Sequence, residues 1–106
     1  MTAACATYMS AKPAPEVFLL GTRDSAAPLR SKVETALNST DNSVCVDFQG
    51  LVVTQSFMDE FLGMLILRHG PKILERVVLQ NCDDDVKAVA EFVAKIRVRD
   101  FQTEQK

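Results

Sequence analysis

Ser56 is the residue with the most evident chemical use. It stands at the head of an apolar helical run, Phe57 to Leu67, where free backbone N–H groups and the helix dipole would stabilise a phosphate on its hydroxyl. The same placement serves as a plain N-cap worth about 1 kcal/mol, and Asp59 completes the form of a capping box with Asp in place of Glu or Gln. Asp59 and Glu60 are adjacent acids. Neighbours on a helix point about 100° apart, so the two do not make an acid–base pair; they read as partners of the helix dipole, with contact to another molecule by Glu60 as the second reading. The sole histidine, His69, precedes Gly70-Pro71 and reads as a helix C-terminal cap. Asp83-Asp84-Asp85 lacks the alternating ligands, glycine turn and distal Glu of a calcium loop, so it reads as helix-start chemistry and no metal is expected. Arg23, after Gly21-Thr22, can pair with a carboxylate in the fold or on a partner, and no Walker or dinucleotide loop is present. No catalytic constellation emerges. The chain is expected not to be an enzyme and to use no cofactor.

The elements that must carry these residues follow from hydropathy period. Val44, Val46 and Phe48 alternate with Cys45, Asp47 and Gln49, the pattern of a central strand ended by Gly50. Leu51 to Val53 is a second short apolar run, and Thr54-Gln55-Ser56 reads as the turn into the apolar helix. That helix is apolar over most of its circumference, which predicts burial on more than one side. Upstream, Val17 to Leu20 reads as a first strand at a sheet edge, and a helix from Asp24 or Ser25 places Leu29, Val33, Ala36 and Leu37 on one face. Downstream, Val77 to Leu79 is another strand. A last helix then carries Val86, Val89, Ala90, Val93 and Ile96 at spacings of three and four. Alternating strands and helices imply helices packed on a sheet with at least one parallel pair.

Composition sets limits on the rest. A chain of 106 residues, 47% apolar and 25% charged, is one domain with one modest core. Its formal net charge of −2 gives no footprint for nucleic acid, which demands clustered Lys and Arg. Asp59, Glu60 and Gly63 interrupt the longest apolar run, well short of the ~20 residues that cross a bilayer, so no membrane contact is expected. Cys5, Cys45 and Cys82 are odd in number and lack the close spacing of redox or zinc motifs; they read as small buried thiols of a reducing, cytoplasmic compartment. Residues 1–15, rich in Ala with Pro13 and Pro15, read as a flexible tail, 16–101 as the domain, and 102–106 as a frayed end.

Two blocks carry a family resemblance. Val44-Cys45-Val46-Asp47-Phe48-Gln49-Gly50-Leu51 and Ser56-Phe57-Met58-Asp59-Glu60-Phe61-Leu62-Gly63 resemble the STAS-like domains of unknown function, small bacterial proteins related in fold to sulfate transporter and anti-sigma factor antagonist domains. The resemblance extends over roughly Leu20 to Val93, taking in Gly21-Thr22-Arg23 and Leu79-Gln80-Asn81. It implies an α/β fold, a STAS-like mixed sheet of three to four strands with about three packed helices. It also implies a non-enzymatic regulatory module that binds another protein, in the manner of an anti-sigma factor antagonist, with a histidine-kinase-like ATPase or anti-sigma-like regulator as partner. The contact surface would be Thr54, Gln55, Ser56, Phe57, Asp59 and Glu60, with Arg23 as a further ion-pair or partner contact. Such relatives carry an acid followed by two serines, the second phosphorylated; here the run is Gln55-Ser56-Phe57, so Phe57 occupies the modified place and Ser56 is the nearest candidate phosphosite. The alternatives are a small-ligand-binding domain with its pocket at the strand ends and a homodimeric structural protein paired through the open edge of the first strand.

Overall fold

The central strand is met on both sides by parallel neighbours. In the computed structural model, which describes residues 5–12, 19–21, 23–40 and 43–104, β1 (Cys5–Ser10), β3 (Ser43–Asp47) and β5 (Val77–Gln80) form a parallel sheet in the order β1-β3-β5. Two-residue strands β2 (Leu19–Leu20) and β4 (Val52–Val53) make a second parallel pair. The helical elements are α1 (Arg23–Ser39), α2 (Gln55–Met58), a π-turn (Asp59–Gly63), α3 (Met64–His69), a 3-10 turn (Pro71–Glu75) and α4 (Asp84–Glu104). α2, the π-turn and α3 run on as one helical rod, so the expected architecture of a small sheet with three packed helices is what the chain adopts.

Register explains why the sheet is sealed on one side. Met9, Val46 and Leu79 share a row, as do Thr7, Val44 and Val77, and the apolar members of these rows meet the helices in the core. α1 contributes Ala26, Leu29, Val33 and Leu37, α4 contributes Val86, Ala90 and Val93, and the rod between them buries Phe57, Met58, Phe61, Leu62, Leu65 and Ile66. Phe61 lies against Phe48 and Phe57 with ring centroids 6.0 and 6.3 Å away, within the range of tilted aromatic contact. The rod is thus buried on more than one side, as its composition predicts. The row on the other face holds Tyr8, Cys45 and Val78, of which Tyr8 and Val78 are exposed.

Two readings of the N-terminal half, the tail and the state of Cys45, are corrected. The tail expected over residues 1–15 contains β1; residues 1–4 and 13–15 lie outside the described residues. Its inward residues Thr7 and Met9 alternate with the exposed Tyr8 and Ser10, a weak apolar signal, and its hydrogen bonds come from β3, a partner that local propensity does not reveal. Of the strand expected near 16–20, only Leu19–Leu20 falls within the described residues. Cys45 is fully buried and disulfide-bonded rather than a free thiol, whereas Cys82 is free and half-buried. At the other end α4 continues through Glu104, so 102–104, expected to fray, are helical. Among the described residues no helix is long and apolar enough to cross a membrane.

Candidate functional site

The rod enters its first turn on a cap supplied two positions before Ser56. Thr54 is the N-cap: its Oγ1 accepts from the Phe57 N–H at 3.2 Å and its hydroxyl donates to the Gly21 carbonyl at 3.1 Å, tying the helix start to the segment before α1. Ser56 is therefore not the cap. Its side chain and that of Gln55 are exposed. Phe57, expected in the contact surface, points the other way and is sealed in the core, because a helix turn places residue 57 on the apolar side of the rod.

Asp59 and Glu60, expected as helix-dipole partners, are held instead by arginines from two other helices. Arg97 of α4 grips Asp59 with both prongs of its guanidinium, Nε to Oδ1 at 2.6 Å and Nη2 to Oδ2 at 2.7 Å, while Arg23 Nη1 donates to Oδ2 at 2.9 Å. The Asp59 side chain is 14% exposed. The Arg97 hydrogen bonds, reinforced by those of Arg23, hold its carboxyl below the ordinary range against the opposing effect of burial, and Asp59 in turn raises Arg97. Glu60 ion-pairs with Arg30 of α1, whose Nη1 also donates to the Glu60 carbonyl at 3.1 Å. The π-turn sits at this junction: the Met64 N–H reaches back to the Asp59 carbonyl, the longer bond of a π-helix. Gly63, at its end, makes room for the clamp, since a Cβ there would stand 2.7 Å from Asp59 Oδ1 and 3.0 Å from Arg97 Cγ.

The remaining singled-out residues fall elsewhere. His69 does not cap the rod; its Nε2 lies 2.7 Å from Glu34 Oε2 of α1, which Arg68 Nε also meets at 3.2 Å. Asp83 is helix-start chemistry as expected, its Oδ1 accepting from the Val86 N–H at 2.9 Å. Asp47 and Asn81, from separate motif blocks, meet at the carboxyl ends of β3 and β5: Asp47 Oδ1 accepts from Asn81 Nδ2 at 3.0 Å and from the Gln49 N–H at 2.9 Å. Those bonds, Asn81's first, depress the Asp47 carboxyl, and Tyr8, hydrogen-bonded to Asp47, is raised. Asn81 is left-handed at φ 56°, a conformation Asn tolerates better than most residues. Among the described residues no group of His, Cys, Asp and Glu is arranged to hold a metal.

A cleft of about 550 Å³ opens where these elements meet, lined by Arg23, Gln55, Ser56, Asp59, Val93, Ile96, Arg97 and Asp100. No strand residue lines it, so it is not the strand-end pocket of the small-ligand alternative. Arg97 and Arg30 are the residues that sequence reasoning missed. Both sit on helix faces that read as solvated, and only Gly63, an otherwise unexplained small residue in an apolar helix, hinted that something packs across the rod.

The model of the family described as STAS-like domain of unknown function matches residues 25–87, which contain the β3 strand, the rod with its π-turn, and β5. The chain belongs to this family of STAS-like domains. No curated protein and no solved structure matches it.

Proposed function

We propose that this chain is a non-enzymatic regulatory module that binds another protein through the exposed start of α2, in the style of an anti-sigma factor antagonist. One observation carries the reading. Of the segment 54–60, Gln55 and Ser56 alone are exposed, and they stand on the rim of the cleft, while Phe57 is core and the acids beside them are neutralised by Arg97, Arg23 and Arg30. A surface without free acid or base favours recognition over catalysis. The partner in this reading is a histidine-kinase-like ATPase or an anti-sigma-like regulator, and Ser56 is the hydroxyl it would phosphorylate. A phosphate on Ser56 would share the cleft with Asp59 and compete with it for Arg23, so modification would change the very surface the partner reads.

The experiment is to mix the purified chain with the ATPase encoded nearest to it, with and without ATP, and to follow complex formation by size-exclusion chromatography and modification by intact mass. A complex that dissociates as one phosphate is added, and that stays intact in Ser56→Ala, is the expected result. Absence of a complex sinks the partner assignment, and phosphate added equally to Ser56→Ala sinks the site. The volume of the cleft also lies within the range of about 300–1,000 Å³ of small-molecule sites, which favours a ligand as the second reading. A saturable thermal shift from a low-molecular-weight carboxylate, lost in Arg23→Gln, would support that reading against the first.

A further inference from the structure

The outer face of α4 carries apolar residues that the fold does not use. Its inward stripe is Val86, Ala90 and Val93, all buried, yet Phe92 and Ile96, one helical turn apart, are 50% and 37% exposed. They do not stand alone. Phe92 walls an apolar slot of about 290 Å³ with Gln55, Ala88 and Val89, and Ile96 walls the neighbouring cleft with Gln55, Ser56 and Arg23. Gln55 belongs to both, so slot and cleft form one groove between the start of α2 and α4. From Ala88 to Asp100 it follows α4 for about 18 Å at ~1.5 Å per residue, the length of a peptide segment rather than of a small molecule.

Charge at the polar end decides what fits. Asp59 is already served twice by Arg97, and Asp100 is met by Arg97 at 3.4 Å. Arg23 uses only Nη1, on Asp59 Oδ2 at 2.9 Å and Glu60 Oε1 at 3.6 Å; its side chain is 53% exposed, and its Nε and Nη2 make no hydrogen bond or ion pair among the described residues. The groove therefore offers spare cationic donors beside an apolar slot. Its two rim acids and the net charge of −2 disfavour a polyanion.

We propose that this groove seats an amphipathic segment of a protein partner, with an apolar anchor between Phe92, Val89, Ala88 and Gln55 and an acidic side chain on the free edge of Arg23. The proposal rests on the protein-binding reading and extends the contact surface from α2 onto α4. Exposed aromatic and arginine residues along one groove are the kind that dominate binding energy in interfaces, and an acid paired to Arg23 would set register along the groove.

The test is selection of a random peptide display library on the full chain, followed by fluorescence anisotropy of the enriched peptides and amide shift mapping. Enriched peptides are expected to combine a large apolar residue with Asp or Glu and to shift Gln55, Val89, Phe92 and Ile96. Phe92→Ser and Arg23→Glu should each weaken binding about tenfold or more, and Arg23→Glu should be rescued by a peptide whose acid is changed to Lys. Arg23→Gln, which avoids a new acid beside Asp59, guards against misfolding, and thermal unfolding checks each variant. Enriched peptides with no acid, or binding indifferent to both variants, overturn the proposal, as does self-association that Phe92→Ser abolishes, which would make a second copy the occupant. Binders whose shifts map away from α4 sink the groove and leave the protein-binding reading standing. Failure of every peptide together with failure of the ATPase mixture removes both.

Discussion

Gly63→Ala sets two opposing effects against each other at the centre of the molecule. In an ordinary helix interior the change stabilises by about 1 kcal/mol, because Ala loses less backbone entropy than Gly. Here the new Cβ would lie 2.7 Å from Asp59 Oδ1 and 3.0 Å from Arg97 Cγ, so the carboxylate must retreat by roughly 0.7 Å or more to reach ordinary contact. It has little freedom to do so. Three guanidinium bonds of 2.6, 2.7 and 2.9 Å hold it from both sides, and weakening one charge-assisted bond costs about 1.5–3 kcal/mol. The clamp should win, giving a net destabilisation of about 1–2 kcal/mol in urea unfolding followed by circular dichroism. The sign should reverse in an Asp59→Ala background: with the carboxylate gone and Arg97 released, Gly63→Ala should stabilise by about 0.5–1 kcal/mol, a coupling of about 2 kcal/mol between the two sites. If Gly63→Ala stabilises the parent chain, or if the four-way cycle shows coupling below about 0.5 kcal/mol, Gly63 is not the seat of the clamp.

Other perturbations probe the same construction. Asp59→Asn should cost about 2–3 kcal/mol at neutral pH, somewhat less than a fully buried pair, since Arg97 is 26% exposed. Because the folded Asp59 carboxyl is depressed below its ordinary value of 3.8, this contribution is fully present above the unfolded value and lost as pH falls through the folded one; the stability gap between parent and variant should be constant from neutrality down to pH ~5 and close only below pH ~4, and a gap that closes near neutrality would contradict it. Thr54→Ala should lower stability by about 1 kcal/mol and Ser56→Ala by less than about 0.5 kcal/mol, measured by thermal unfolding; the opposite order would return the cap to Ser56. Asn81→Gly should be better tolerated than Asn81→Val, which forces a β-branched residue into left-handed backbone at a cost of about 1–2 kcal/mol, and equal melting temperatures would show that the turn relaxes.

Much of the fold was legible in residue order because it depends on local period. The alternation from Val44 to Phe48, the apolar rod after Thr54 and the threes and fours of α4 each require burial of a particular face, and the structure buries those faces, except that Ile96 at the far end of the α4 stripe stays 37% exposed. Turn chemistry read equally well: Gly50 and Gly70 both take positive φ, and Asp83 caps α4. β1 was not legible, since Thr, Tyr and Ser carry little apolar signal and the strand exists through pairing with β3.

The site divided along the same line. The order of residues by itself determined that Ser56 heads an apolar helix and that Asp59 and Glu60 share its opening turns, because helix geometry relates positions only a few residues apart. Only the tertiary structure decided that Thr54 is the cap, that Arg97 and Arg23 close on Asp59 while Arg30 takes Glu60, and that Gln55 and Ser56 border a groove with Phe92 and Ile96. Apart from the local Thr54–Phe57 capping bond, those relations, with the Thr54–Gly21 tie, join residues about thirty to forty positions apart. A charge carries no mark of which opposite charge it will meet; that is settled when burial of the helices' apolar faces brings α1, the π-turn and α4 together.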